Sequence, residues 1–205
     1  MLEVLGAEAV CKFMRAQLGR EFRNYLIYQY TKQEKAMNAI AAADENWAIG
    51  YHNALLISIP EDMRFFREKT SGKVVVMGRK TLESFPGGKP LKNRVNIVFT
   101  SNPDYSREDI TVIHSTEELA DILKDYNSSD VFVIGGGSIY SMLLPMCDTA
   151  YITRIEKAFK ADTWFPDLDR HNDWELTDKS ETFEYEGIRY SFATYRRRSF
   201  PGDAC

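Results

Sequence analysis

At 205 residues, with 44% hydrophobic and 27% charged side chains, the chain has the length and mixture of one ordinary globular domain with room for an appendage. A formal charge of -4 excludes a general basic footprint for nucleic acid or anionic lipid, so any anionic ligand has to be held locally. Cys11, Cys147 and Cys205 lie far apart, with neither C-x-x-C spacing nor neighbouring histidines, which argues for reduced thiols and against zinc.

Val10, Phe13, Met14, Leu18, Phe22, Tyr25 and Leu26 recur at three- and four-residue spacings between Ala7 and Lys35. Residues 1–36 therefore read as an N-terminal helical extension without recognisable chemistry. A packing helix, upstream translation ahead of an initiator at Met37, and a partner-binding helix all stand open for it. The opening residues have too short an apolar run for a secretory signal and no later stretch is apolar enough to span a bilayer, so a cytoplasmic protein is expected.

From Met37 the pattern changes, and residues 37–205 read as a domain of their own. Strands are expected at 38–43, 73–77, 95–100, 110–113, 131–134 and 149–155, with helices near 60–69, 80–84, 116–124 and 138–144. This alternation predicts an α/β fold built on a largely parallel sheet. The final stretch, WELTDKSETFEYEGIRYSFATYRRR, predicts an antiparallel hairpin around Glu186-Gly187 finishing one edge. Its Arg196, Arg197 and Arg198 read as a solvated face rather than a nucleic-acid patch.

Ser58-Ile59-Pro60-Glu61 has the form of a capping box with proline in the first turn, so a helix should begin there with Asp62 in its first turn. Helical spacing puts Asp62 and Phe66 on one face with Phe65 alongside. Such an acid either complements the helix dipole or pairs, if buried, with the N–H edge of a heterocycle. Val131-Phe132-Val133-Ile134 followed by Gly135-Gly136-Gly137-Ser138 reads as strand, glycine turn and helix start, a turn that suits phosphates or is simply tight. It is not the G-x-G-x-x-G of the doubly wound dinucleotide fold. VVVMGRKT sets Gly78, Arg79, Lys80 and Thr81 at a second strand end, and VNIVFTS ends a third in Thr100 and Ser101. Three such ends suggest one long, charged ligand, although cations at a helix start are also common on solvated surface.

These pieces occur in order as AIAAADENWAIGYHNALL, IPEDMRFF, VVMGRKTLESFPGGKPLKNRVNIV, VIGGGSIY, YITRI and DTWFPD, and together residues 37–198 resemble the dihydrofolate reductases of the bacterial chromosomal type. The resemblance implies a three-layer sandwich, with helices on both faces of a central sheet of about eight strands. It implies NADPH-dependent reduction of dihydrofolate, with dihydrofolate and antifolate inhibitors as small-molecule partners, and a monomer that uses neither nucleic acid nor membrane. Asp62 would be the catalytic carboxylate, contacting the 2-amino group and N3 of the pterin, with Thr153 in the same hydrogen-bond network. Ile40, Ala42, Met63, Phe66 and Ile134 would wall the ring, Phe85 and Leu91 would flank the benzoyl group, and Arg94 would fork onto the glutamate α-carboxylate.

For the cofactor, the resemblance assigns Gly135, Gly136 and Gly137 to the pyrophosphate, with a cis bond between the first two. Gly78, Arg79, Lys80, Thr81, Thr100 and Ser101 would meet the adenosine half and its 2′-phosphate. Ile49, Asn53, Leu55 and Tyr140 would lie near the nicotinamide, Tyr140 touching substrate as well, with Ala42, His114, Ile134, Ser138 and Ile139 among the further cofactor contacts. Leu56-Ile57 departs from the Pro-Trp common in the loop before the acidic helix, and Ser138 and His114 stand where basic residues often occur. The expected chemistry is hydride transfer to pterin C6 with a proton reaching N5, under a loop formed by residues 44–58, and turnover should fall as pH rises. A riboflavin-pathway reductase of the same fold and a catalytically silent pterin- or nucleotide-binding module are the alternatives.

Overall fold

The computed structural model describes residues 36–198, so the helix expected before Lys35 lies outside the described residues, as do Cys11 and Cys205. The sheet's centre is made of short β-branched runs buried on both faces, as parallel strands covered by helices must be. Strands β1 (Met37–Ala43), β4 (Val74–Gly78), β5 (Val95–Phe99), β6 (Thr111–Ile113), β7 (Val131–Gly135) and β8 (Cys147–Ile155) run parallel. Strands β12 (Ile188–Arg197) and β10 (Trp174–Lys179) extend this sheet antiparallel, in the order β10-β12-β8-β1-β7-β4-β5-β6. A ninth strand, β11 (Phe183–Tyr185), pairs with β12 across the turn Glu186-Gly187, where both residues take the positive φ of a two-residue hairpin turn. The expected hairpin is therefore present, but the sheet edge beside it is β10.

Helices α1 (Pro60–Thr70), α2 (Arg79–Ser84), α3 (Thr116–Leu123) and α4 (Gly137–Leu143) fall close to their expected bounds. Along β4 and β7 alternate residues separate into two cores. Val74, Val76, Val131 and Val133 pack with Leu119, Ile139, Tyr140 and Leu143, whereas Val75, Met77, Phe132 and Ile134 pack with Leu82, Phe65 and Phe66. Helices thus cover both faces, completing the three-layer arrangement.

The capping box expected at Ser58 does not form. Pro60 occupies the first helical position, Ile59 is the N-cap with no side-chain cap bond, and Glu61 instead accepts a long hydrogen bond from the Tyr190 hydroxyl at 3.5 Å. Fully buried Ile59 anchors the entry apolarly. A side-chain cap does form at α3, where Ser115 accepts from the Glu118 backbone N–H at 3.1 Å. The sequence reading also missed a second, three-stranded sheet of β2 (Ala48–Tyr51), β3 (Ala54–Leu55) and β9 (Thr163–Trp164), whose strands are too short to show a period.

Candidate active site

Because β7 is inserted between β1 and β4, the strand order reverses about β1, and the carboxyl ends of the parallel strands form the edge where α/β sheets gather ligands. The first turn of α1 meets β8 near that edge. Thr153 Oγ1 donates to Asp62 Oδ1 at 2.6 Å, with the two residues 1% and 7% exposed. Burial raises the Asp62 pKa above the usual carboxylate range, and the Thr153 hydroxyl partly opposes that shift by favouring the charged form. The acid is sheltered and not a solvated complement to the helix dipole.

Ile40, Ile134, Phe66, Phe85 and Leu91 all belong to one apolar cluster, the core on the α1 face. Ala42 packs instead with Ile57, Ile59 and Tyr190 in a neighbouring cluster, and Met63 is half-buried beside Asp62. Arg94 stands at the far end of α1. Its Nε and Nη2 donate to Thr70 Oγ1 at 3.3 and 3.1 Å, and Nη1 donates to the Lys92 carbonyl at 2.7 Å. Burial, and then the like charge of Arg67, make this guanidinium easier to deprotonate than an ordinary one. An acidic ligand group would relieve that repulsion.

The glycine turn carries a cis peptide between Gly135 and Gly136, and Gly135 sits at φ +130°. A Cβ on Gly136 would fall 3.3 Å from Thr81 Oγ1, and one on Gly78 would fall 3.1 Å from Ile139 Cγ1, so the ends of β4 and β7 are in contact. Gly137 has a different reason to be glycine: its Cβ would lie 2.9 Å from the Trp164 carbonyl oxygen, against strand β9. Tyr140 is 3% exposed, its hydroxyl donates to the Ile40 carbonyl at 2.6 Å, and burial pushes its pKa up. The hydroxyl thereby ties α4 to β1, the strand that carries Ile40 and Ala42.

Beyond the turn, Arg79 pairs with Glu83 at 2.7 Å, while Lys80, Ser101, His114 and Ser138 are exposed. The His114 Nδ1 lies 2.8 Å from the Thr100 carbonyl, which fixes the proton on that nitrogen in the neutral ring. Ile49 packs against the core that holds Ile139 and Tyr140, whereas Asn53 and Leu55 are exposed on the β2–β3 hairpin, whose turn residues His52 and Asn53 have φ of 51° and 61°.

A sequence model of dihydrofolate reductase matches residues 36–197. The chain belongs to the dihydrofolate reductase family. It is 39% identical to the dihydrofolate reductase of Bacillus subtilis over 158 residues, 74% of this chain and 91% of that protein. It is 37% identical to the Neisseria meningitidis enzyme over 159 residues, covering 77% and 96% of the two chains. A solved dihydrofolate reductase from Enterococcus faecalis, complexed with NADP(H) and RAB-propyl, superposes with a TM-score of 0.72 at 38% identity, over 80% of this chain and 97% of that one.

In this member of the dihydrofolate reductase family, several residues that shape the site escaped the sequence reading. Asp44, fully buried, accepts from the backbone N–H of Asn46, Ala48 and Phe159 at 2.8, 2.9 and 3.0 Å, stapling the start of the loop to the segment after β8. Trp47, at φ 62°, packs on Phe165 and Tyr195, with the Arg154 guanidinium 4.1 Å from its ring. Asp162 accepts from the His52 N–H at 2.9 Å, which with the Thr163 hydroxyl holds its carboxyl below the usual range. The spacing Asp44-Glu45-Asn46 was the available signal, since aspartate readily caps its own turn. Among the described residues no group of acids, histidines and cysteines is placed to hold a metal, and no helix is long and apolar enough to cross a membrane.

Proposed function

We propose that this chain reduces 7,8-dihydrofolate to 5,6,7,8-tetrahydrofolate with NADPH, Asp62 holding the pterin, and that it does so in the cytoplasm as a monomer whose catalytic domain starts at residue 37. The observation that carries this reading is the sheltered pair of Thr153 with Asp62, on the helix that packs against an apolar cluster sharing β7 with the glycine turn. A flat, nitrogen-rich ring fits between Ile40, Ala42, Met63, Phe66 and Ile134, with two of its N–H groups on the carboxylate. Phe85 and Leu91 extend the slot toward Arg94, which suits the benzoyl-glutamate portion.

The glycine turn and cations fit the dinucleotide. Gly135, Gly136 and Gly137 would leave room for the pyrophosphate, Ser138 and Ile139 following them. Gly78, Arg79, Lys80, Thr81, Thr100, Ser101 and His114 would hold the adenosine half with its 2′-phosphate, and Ile49, Asn53, Leu55 and Tyr140 would border the nicotinamide. NADPH supplies the hydride. The protein's own contribution is alignment of the two rings and exclusion of water by residues 44–58. Asp62, the acid in contact with the ring, favours the protonation state in which N5 receives its proton.

The test is dihydrofolate-dependent oxidation of NADPH by the full chain, blocked by an antifolate. Asp62→Asn is expected to lower turnover at neutral pH by about a hundredfold or more while cofactor binding persists. Binding of both ligands without turnover in the unaltered chain would instead support a silent module, and full turnover in the variant would remove Asp62 from the mechanism.

A further inference from the structure

Arg79 is not free to give its whole charge to a ligand. Its Nη1 lies 2.7 Å from Glu83 Oε1 one helical turn on, with the side chains 38% and 42% exposed. Its guanidinium also faces the Tyr105 ring at 5.9 Å, and Tyr105 packs against the cluster of Ile40 and Ile134. The other groups assigned to the adenosine phosphate add little charge. Ser138 is neutral, the Thr100 hydroxyl accepts from the Asn102 N–H at 3.1 Å, and the His114 ring is occupied by the Thr100 carbonyl at 2.8 Å. A second acid, Glu118, lies against the His114 backbone N–H at 2.9 Å. Arg79 and Lys80 remain as the cations, and one of them is paired.

We infer that Glu83 sets how strongly this enzyme prefers a 2′-phosphorylated cofactor, by competing with that phosphate for Arg79. A dianion arriving at Arg79 must share the guanidinium with a carboxylate one turn away, well inside the distance over which salt screens charge. The same pair is too exposed to matter much for folding, so removing Glu83 should leave stability nearly unchanged while freeing Arg79. Glu83 would therefore weaken the hold on NADPH relative to NADH and ease the departure of the spent cofactor. This inference rests on the assignment of Arg79 to the 2′-phosphate.

The experiment is calorimetric titration of the full chain with adenosine 2′,5′-bisphosphate and with 5′-AMP, at low and raised salt. Glu83→Gln, with Glu83→Ala as a second variant, is expected to tighten the bisphosphate about three- to tenfold, leave 5′-AMP within about twofold, and lose the gain as salt rises. In an Arg79→Gln background the gain should vanish. An unchanged or weakened ratio in both Glu83 variants, or a gain of equal size without Arg79, overturns the inference. Should Arg79→Gln fail to weaken the bisphosphate relative to 5′-AMP, the assignment of Arg79 itself is overturned instead.

Discussion

Thr153→Val isolates the polar half of the Asp62 environment. The change keeps the branched shape and deletes one hydroxyl, whose bond to Asp62 Oδ1 is 2.6 Å long between residues 1% and 7% exposed. A hydrogen bond to a charged group contributes about 1.5–3 kcal/mol. At about 1.4 kcal/mol per tenfold, its loss should raise the proton affinity of Asp62 roughly tenfold or more, adding to what burial already does. The sign follows from linkage. Because the folded pKa lies above the unfolded one, the contribution of Asp62 to folding stability is full below its unfolded pKa and is lost as pH rises through the folded pKa. The variant should thus be destabilised at neutral pH by about 1–3 kcal/mol and less in acid, as read by urea unfolding. Single-turnover rates of NADPH oxidation against pH should show the decline with rising pH displaced upward by about one unit. A decline that stays in place or moves to lower pH would refute the assignment of that titration to Asp62.

Arg94→Lys keeps the charge but not the fork, and it also abandons Thr70 and the Lys92 carbonyl; the KM for dihydrofolate is expected to rise about tenfold or more with that for NADPH unchanged, whereas equal rises in both would detach Arg94 from substrate. Gly137→Ala drives a methyl to 2.9 Å from the Trp164 carbonyl and 3.0 Å from Thr163 Cγ2, so strand β9 must shift at a cost of about 1–3 kcal/mol. Its denaturation midpoint should fall with the slope unchanged, and a loss below about 0.5 kcal/mol would mean that the small sheet yields freely.

Elements whose information is local could be read from the chain. Val74–Gly78 and Val131–Gly135 announce buried parallel strands by composition, and Pro60 announces the start of α1. Asp62 could be located but not weighed, because a first-turn acid reads the same whether solvated or buried, and its shelter comes from β8, whose Thr153 lies 91 positions away. The Ser58 capping box failed for a local reason, since proline fixed the helix start one residue later than the serine required. Strands β2 and β3 were illegible because their hairpin is too short to show a period, and β9 because only pairing with a distant segment defines it, as with the contact of Asp44 with Phe159. The glycine run was legible as a turn, but the separate demand on Gly137, contact with β9, was not.

The insertion of β7 between β1 and β4 has a kinetic consequence. Asn38 pairs with Phe132 on one side and Thr149 on the other, so β1 is synthesised long before either of the strands it pairs with. Non-local parallel pairing of this kind folds slowly and leaves valine-rich strands exposed in the interim. Ile40, proposed to wall the pterin, and Thr153, behind its acid, lie far apart in the chain, so neither segment builds the proposed site alone. Antifolate or cofactor supplied during synthesis would accordingly act as a chaperone only at the final step, adding about 2.7 kcal/mol at a hundredfold excess over its dissociation constant to a molecule already whole.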